Sequence, residues 1–165
     1  MSQNMSSQAL ELINRYEFLR PFIKAGFIPY IPEFDRGVDF IVYREAEDPS
    51  DDVLIKVQLK SRWTVDRKYL GRNIWIAFPI VNDDQKTWYL VPHDKMVQHA
   101  IDEPRMDKES ASWQAGVYSK PKLASDWATM YSSFEVQSLL KLIADGSSIA
   151  FLTEGSAKRE AWSVP

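Results

Sequence analysis

The sequence predicts an α/β domain with a central β-sheet flanked by helices and a helical C-terminal part. Three observations lead there. An N-terminal stretch carries apolar residues near the helical period, a series of short β-rich runs divided by turn residues follows, and helical patterning returns in the last third. With 165 residues, 45% of them hydrophobic and 13% aromatic, the chain is long enough to bury one proper core. No internal repeat, low-complexity segment or linker divides it, so residues 1–165 are expected to form a single domain.

Residues 7–25 read as the first helix, with Leu10, Leu12, Ile13, Leu19, Phe22 and Ile23 as apolar positions. Ser6 or Ser7 suits the N-cap and Gly26 the stop, while Pro21 predicts a kink or an early break. Phe27–Ile31 is a short strand bounded by prolines, and Asp39–Tyr43 is a second β-rich run. A loop over Glu45–Asp52 leads into Val53–Lys60, the clearest strand, which alternates apolar and polar residues in its second half. Ile74–Val81 reads as a buried strand, Asn82-Asp83-Asp84 as a turn, and Thr87–Val91 as the next strand. Asp94–Ile101 is expected to be helical. Residues 103–131 give no clear period, although Trp113 and Trp127 demand burial. Ser132-Ser133-Phe134-Glu135 has the capping-box pattern and predicts a helix through Ala144 with Gly146 as its stop. Ser148–Thr153 is a candidate last strand.

Composition narrows the chemistry. Without cysteine there are no disulfides, thiolate metal sites or cysteine nucleophiles, which fits a reducing compartment. No apolar run is long enough for a membrane helix, and the polar first eight residues lack the pattern of a signal peptide. A cytoplasmic protein without a membrane partner is expected. No Gly-rich phosphate loop, Ser-His-Asp order or dinucleotide fingerprint occurs. His93 and His99 are six apart, on different helical faces, which disfavours a zinc site. A net charge of −3 and a pI near 5.4 argue against a globally basic surface, but the charge is segregated. Glu45, Glu47, Asp48, Asp51 and Asp52 crowd one loop, and Lys56, Lys60, Arg62, Arg67, Lys68 and Arg72 follow it with only Asp66 between them.

Chemistry concentrates where those windows meet. If Tyr43 and Leu54 form the inner ends of a hairpin across the acidic loop, paired positions add to about 97 and Asp39 falls opposite Gln58. Residues two apart on a strand share a face, so Lys60 points the same way as Gln58. Magnesium favours oxygen ligands and retains waters; Asp39, the Gln58 amide oxygen and the Leu59 backbone carbonyl could supply them. Lys60 would orient or deprotonate the attacking water, or stabilise charge on a phosphate.

The runs Gly37-Val38-Asp39-Phe40-Ile41-Val42 and Ile55-Lys56-Val57-Gln58-Leu59-Lys60-Ser61-Arg62 resemble the PD-(D/E)XK nuclease superfamily, in which an Asp opens one strand and an acid-x-Lys triplet lies on the next. They are most similar to members with Gln in place of the acid, as in some intron-encoded homing endonucleases. A preceding helix that ends in a glycine is similar to that of Holliday-junction resolvases, where it often contributes a glutamate. Glu17, in phase with Leu10 and Ile13, is the candidate here, with Glu11 the weaker choice. The block from Ile74 to Pro92 resembles the continuation of the sheet in such proteins. The resemblance covers about residues 10–100 and leaves 103–165 as an extension without an assigned role. Val38 stands where the motif name has proline, and Gln58 removes one negative charge from the metal site.

The resemblance implies a restriction-endonuclease-like fold and a Mg²⁺- or Mn²⁺-dependent endonuclease acting on DNA. Catalytic roles then fall to Asp39, Gln58, Lys60 and Glu17, and phosphate contacts to Arg62, Arg67, Lys68 and Arg72. Trp63, beside Arg62, is the tryptophan placed to stack on a base. Two rival readings stand beside this one. The chain could be a nucleic-acid-binding relative that has lost catalysis, as Gln58 warns, or a protein-interaction domain that uses the acidic loop and the aromatic C-terminal region. A homo-oligomer is compatible with all three.

Overall fold

The computed structural model describes residues 6–34, 36–120, 123, 125–147 and 162. Helix α1 spans Ser7–Lys24, and the Ser6 hydroxyl accepts the Ala9 N–H to cap it. Pro21 does not break it. The proline sits within the last turn, where it forgoes one backbone bond, while Phe18, Leu19 and Phe22 hold that turn against the core. Gly26, at φ +83°, ends the run.

Three strands follow: β1 (Ile28–Tyr30), β2 (Phe40–Arg44) and β3 (Val53–Leu59). They pair antiparallel with Tyr43 opposite Leu54 and Phe40 opposite Val57, the register that the sequence predicts. A fourth strand, β4 (Trp63–Asp66), leaves the sheet. Then β5 (Ile74–Asn82) returns parallel to β3, and β6 (Gln85–Pro92) pairs antiparallel with β5. Asp83 and Asp84 join the last two strands at φ +46° and +62°. Two successive left-handed residues match the right-handed twist of a two-residue hairpin, and aspartate tolerates the conformation better than most side chains. The five-stranded mixed sheet has the order β1-β2-β3-β5-β6.

Beyond it come α2 (His93–Asp102), α3 (Ala111–Gln114), β7 (Val117–Lys120), α4 (Ser125–Met130) and α5 (Val136–Ala144). One element falls where no element is expected, and one expectation needs correction. The basic window contains β4, which pairs antiparallel with β7 in a second, two-stranded sheet. All four residues of β4 are buried, so it has none of the alternation by which a half-exposed strand is recognised. The helix expected from Ser132 starts at Val136. Ser132–Phe134 form a single 3₁₀ turn, and Glu135 is extended because it bridges to Tyr89. The expected strand over Ser148–Thr153 lies outside the described residues.

The sheet has two differently covered faces. On one, Phe18 meets Phe40 and Trp88 with ring centroids 5.5 and 5.6 Å apart, and Arg44 on β2 donates to the Ile143 carbonyl, so α1 and α5 form that layer. On the other, the β4–β7 pair, α2 and α4 cover the β5–β6 half. Trp63 is buried there, donating its indole N–H to the Tyr131 hydroxyl at 3.1 Å and meeting Trp127 edge-on. It is a core residue rather than a base-stacking platform. His99 accompanies this cluster, its Nδ1 2.7 Å from the same hydroxyl, and burial pushes its pKa down. Among the described residues no element covers the β1–β3 half of this second face, and Ile28, Tyr30 and Leu54 are each more than half exposed on it.

Two outcomes follow from this packing. Phe18→Ala, which empties the junction of α1, β2 and β6, should cost about 3–5 kcal/mol in urea unfolding. Glu103, chelated by the Arg105 guanidinium, has its pKa drawn down from 4.5 to about 2. A depressed carboxylate stabilises the fold fully above its unfolded pKa and loses that contribution as pH falls through its folded one. Acidification from about pH 4.5 towards 2 should therefore destabilise the wild type more than Glu103→Gln, measured by urea midpoints across that window.

Candidate functional site

The site lies where the covering layer of the second face stops. Asp39 immediately precedes β2, and its backbone N–H bonds the carbonyl of Val57, the residue paired with Phe40, at 2.9 Å. Its Oδ2 accepts two bonds of 2.6 Å, from the Gln58 side-chain amide and from the Leu59 backbone N–H. Gln58 is buried and spends its other amide end on the Tyr69 hydroxyl, which donates to Oε1 at 3.1 Å. The Gln58 Nε2 also lies 3.4 Å from the Leu59 carbonyl. The amide N–H₂ thus stands between the two oxygens, Asp39 Oδ2 and Leu59 O, that the sequence reading assigns to a cation.

Tyr69 binds this arrangement together. It follows β4 in a tight turn, Arg67–Tyr69, whose start is fixed by Asp66 accepting the Lys68 N–H. The Tyr69 ring is buried, with the Lys68 ammonium 4.8 Å and the Lys60 ammonium 5.8 Å from its centroid. Burial raises the Tyr69 pKa and the neighbouring Lys68 opposes that shift. Lys68 is in turn raised, chiefly by its bond to Asp66 at 2.9 Å. The ring presses on Gly37, where φ is +82° and a Cβ would come within 2.4 Å of Tyr69 Cε1. Only glycine satisfies both the backbone and the space there.

An open cleft of about 580 Å³ sits over these groups, lined by Arg36, Gly37, Gln58, Lys60, Lys68, Tyr69 and Arg72. Four of its seven lining residues are cations, an arrangement suited to phosphate oxygens. The Lys56 ammonium ties β3 to this rim by donating to the Arg72 carbonyl at 2.7 Å. His93 braces the turn from behind: its Nε2 accepts the Asp66 N–H, and Asp94 beside it accepts the Gly71 N–H.

Asp39, Gln58 and Leu59 are therefore joined by hydrogen bonds, and Lys60 lines the cleft with Gln58, whereas Asp39 and Leu59 are not among its lining residues. Of the four predicted phosphate contacts, Lys68 and Arg72 line the cleft. Arg62 is exposed without lining it. Arg67 points elsewhere, with its guanidinium 5.6 Å from the centre of the Trp162 ring. Glu17 is half exposed and forms its ion pair with Lys86 at the start of β6. Among the described residues, no group of three or more His, Cys, Asp or Glu side chains is arranged to hold a metal ion. Sequence reasoning missed Arg36 and Tyr69. The one available signal was an aromatic residue set inside the basic window.

Comparison with family models, curated proteins and solved structures finds nothing that matches this chain.

Two substitutions test its internal logic. Tyr69→Phe leaves the buried Gln58 oxygen without its donor and should cost about 1–3 kcal/mol in chemical denaturation. Gly37→Ala should destabilise through both the positive φ and the contact with Tyr69, and Tyr69→Leu in the same chain should recover part of that loss.

Proposed function

We propose that the chain has a restriction-endonuclease-like fold and is a Mg²⁺- or Mn²⁺-dependent endonuclease acting on DNA. One observation carries the reading. Gln58, which is bonded to Asp39 and lies beside the Leu59 carbonyl, lines with Lys60 a cleft that three further cations complete. The donor set consists of hard oxygens, which fits magnesium or manganese once the Gln58 amide turns its oxygen inward. The Tyr69 hydroxyl supports either orientation, since it can donate to the amide oxygen or accept from the amide nitrogen. Asp39, Gln58 and the Leu59 carbonyl would hold the ion, which when bound supplies Lewis-acid stabilisation of a phosphate oxygen. Lys60 faces the same space and takes the role of orienting water or neutralising charge that develops on the phosphate. Arg36, Lys68 and Arg72 hold the DNA backbone across the mouth.

A second reading has its own support. With the Gln58 N–H₂ donating between Asp39 and the Leu59 carbonyl, the hydrogen bonds close without an ion. In that state the chain is a nucleic-acid-binding relative without cleavage.

Cleavage assays on branched, single-stranded and duplex DNA with Mg²⁺ or Mn²⁺ separate the two. Asp39→Asn should abolish cutting while leaving DNA binding intact or slightly stronger, and Lys60→Ala should also abolish cutting. Gln58→Glu should keep or raise activity and lower the Mg²⁺ required, because it restores an anionic ligand. If neither the wild type nor Gln58→Glu cuts any substrate, the enzyme reading fails. Binding is measured separately: affinity should fall with salt at a slope of about −0.9 per phosphate contact. The double change Lys68→Ala with Arg72→Ala should reduce that slope by about two, whereas Arg67→Ala should leave it nearly unchanged.

A further inference from the structure

The half of the second sheet face that no described element covers has a composition that solvent alone does not explain. Ile28, Tyr43 and Leu54 form one cross-strand row, and Tyr30, Ile41 and Lys56 form the next. Ile28, Tyr30 and Leu54 are 51%, 52% and 58% exposed, and the segment that continues β1 exposes Ile31 and Phe34 further still. Contiguous apolar side chains on a sheet face, beside β1, which is an edge strand among the described residues, mark an interaction surface more often than a solvated one.

The two ends of this strip carry opposite charge. Past Tyr43 and Leu54 lies the β2–β3 loop, where Glu45, Glu47, Asp48 and Asp51 are exposed. Past Ile41 and Lys56 lies the cleft with Arg36, Lys60, Lys68 and Arg72. The ends are about 17 Å apart, five residues of strand at 3.4 Å each. A surface that is acidic at one end, apolar in the middle and basic at the other is complementary to itself. A two-fold axis across the strands sets each acidic loop on the partner's basic cleft, whereas an axis along them would set like charge on like.

We propose that two copies of this chain associate through the open β1–β3 face, with the acidic loop of each seated at the cationic cleft of the other. The apolar strip is small beside the roughly 800 Å² per partner of a standard interface, so charge supplies much of the attraction and salt weakens it. The carboxylates occupy the place that phosphates would take, so association and polyanion binding exclude one another. This arrangement does not depend on whether the site cleaves DNA.

Sedimentation equilibrium of the full chain, from micromolar to sub-millimolar concentration and from low to high salt, tests it. The wild type should dimerise at low salt and dissociate as salt rises. Leu54→Glu, an exposed position where the fold should be retained, should weaken the dimer about tenfold or more. Glu47→Lys and Arg72→Glu should each weaken it, and the two together in one chain should restore it. A short single-stranded oligonucleotide should dissociate it, a readout that a merely apolar contact would not give. A monomer throughout, a dimer indifferent to salt or to Leu54→Glu, or single charge changes that the double change does not repair would each overturn the proposal.

Discussion

The parallel pairing of β3 with β5 is the constraint from which the rest of the molecule follows. Parallel neighbours cannot be joined by a tight turn, so the chain must leave the sheet after Leu59 and come back at Ile74. A crossover helix is the usual solution, but here the chain lays down a buried strand and a tight turn instead. That choice creates the second sheet, because β4 has lost its place in the first and takes β7 as its partner. It also returns Lys68, Tyr69 and Arg72 over the end of β3, above the residues that the hairpin has already brought together. The cleft is thus a by-product of how two parallel strands were connected.

Within the cleft, charge and hydrogen bonding are set against each other. Asp39 reaches the cleft through Gln58, which lines it with four cations, yet the Asp39 Oδ2 bonds to neutral donors, a backbone amide and a glutamine. A second carboxylate at position 58 would face Asp39 at hydrogen-bonding distance, and two like charges so close resist joint ionisation unless a cation intervenes. Glutamine removes that repulsion and makes the cluster stable by itself. On the proposed reading, the same glutamine leaves the Asp39–Gln58 pair only one formal negative charge with which to attract a metal. Stability without the ion and affinity for it pull in opposite directions at this one residue.

The hairpin and its chemistry were legible in the sequence because both follow from a period of two. Once Tyr43 and Leu54 are paired, Phe40 falls opposite Val57, Asp39 comes within reach of the Gln58 amide just beyond, and Lys60 shares the face of Gln58. The residues that complete the site are joined by no such rule. Tyr69 reaches Gln58 only because the crossover folds back, and Arg36 reaches the rim through the left-handed turn at Gly37. Charge alone could not separate Lys68, which faces the cleft, from its neighbour Arg67, which faces Trp162. The same limit hid β4, where Trp63, Thr64, Val65 and Asp66 are all buried and present no polar face to alternate with. Glu135 shows local grammar overruled from a distance, since a bridge to Tyr89 holds extended a residue that the capping-box pattern would make helical.

The contact between Gly37 and Tyr69 has a consequence for how such a sequence can change over time. A side chain at position 37 demands a smaller residue at 69, a smaller residue at 69 strands the amide oxygen of Gln58, and a different residue at 58 alters what Asp39 can bond. Three positions on separate segments are therefore bound to drift together. Among diverged descendants they should appear as one covarying unit, even where each position taken singly looks free to vary.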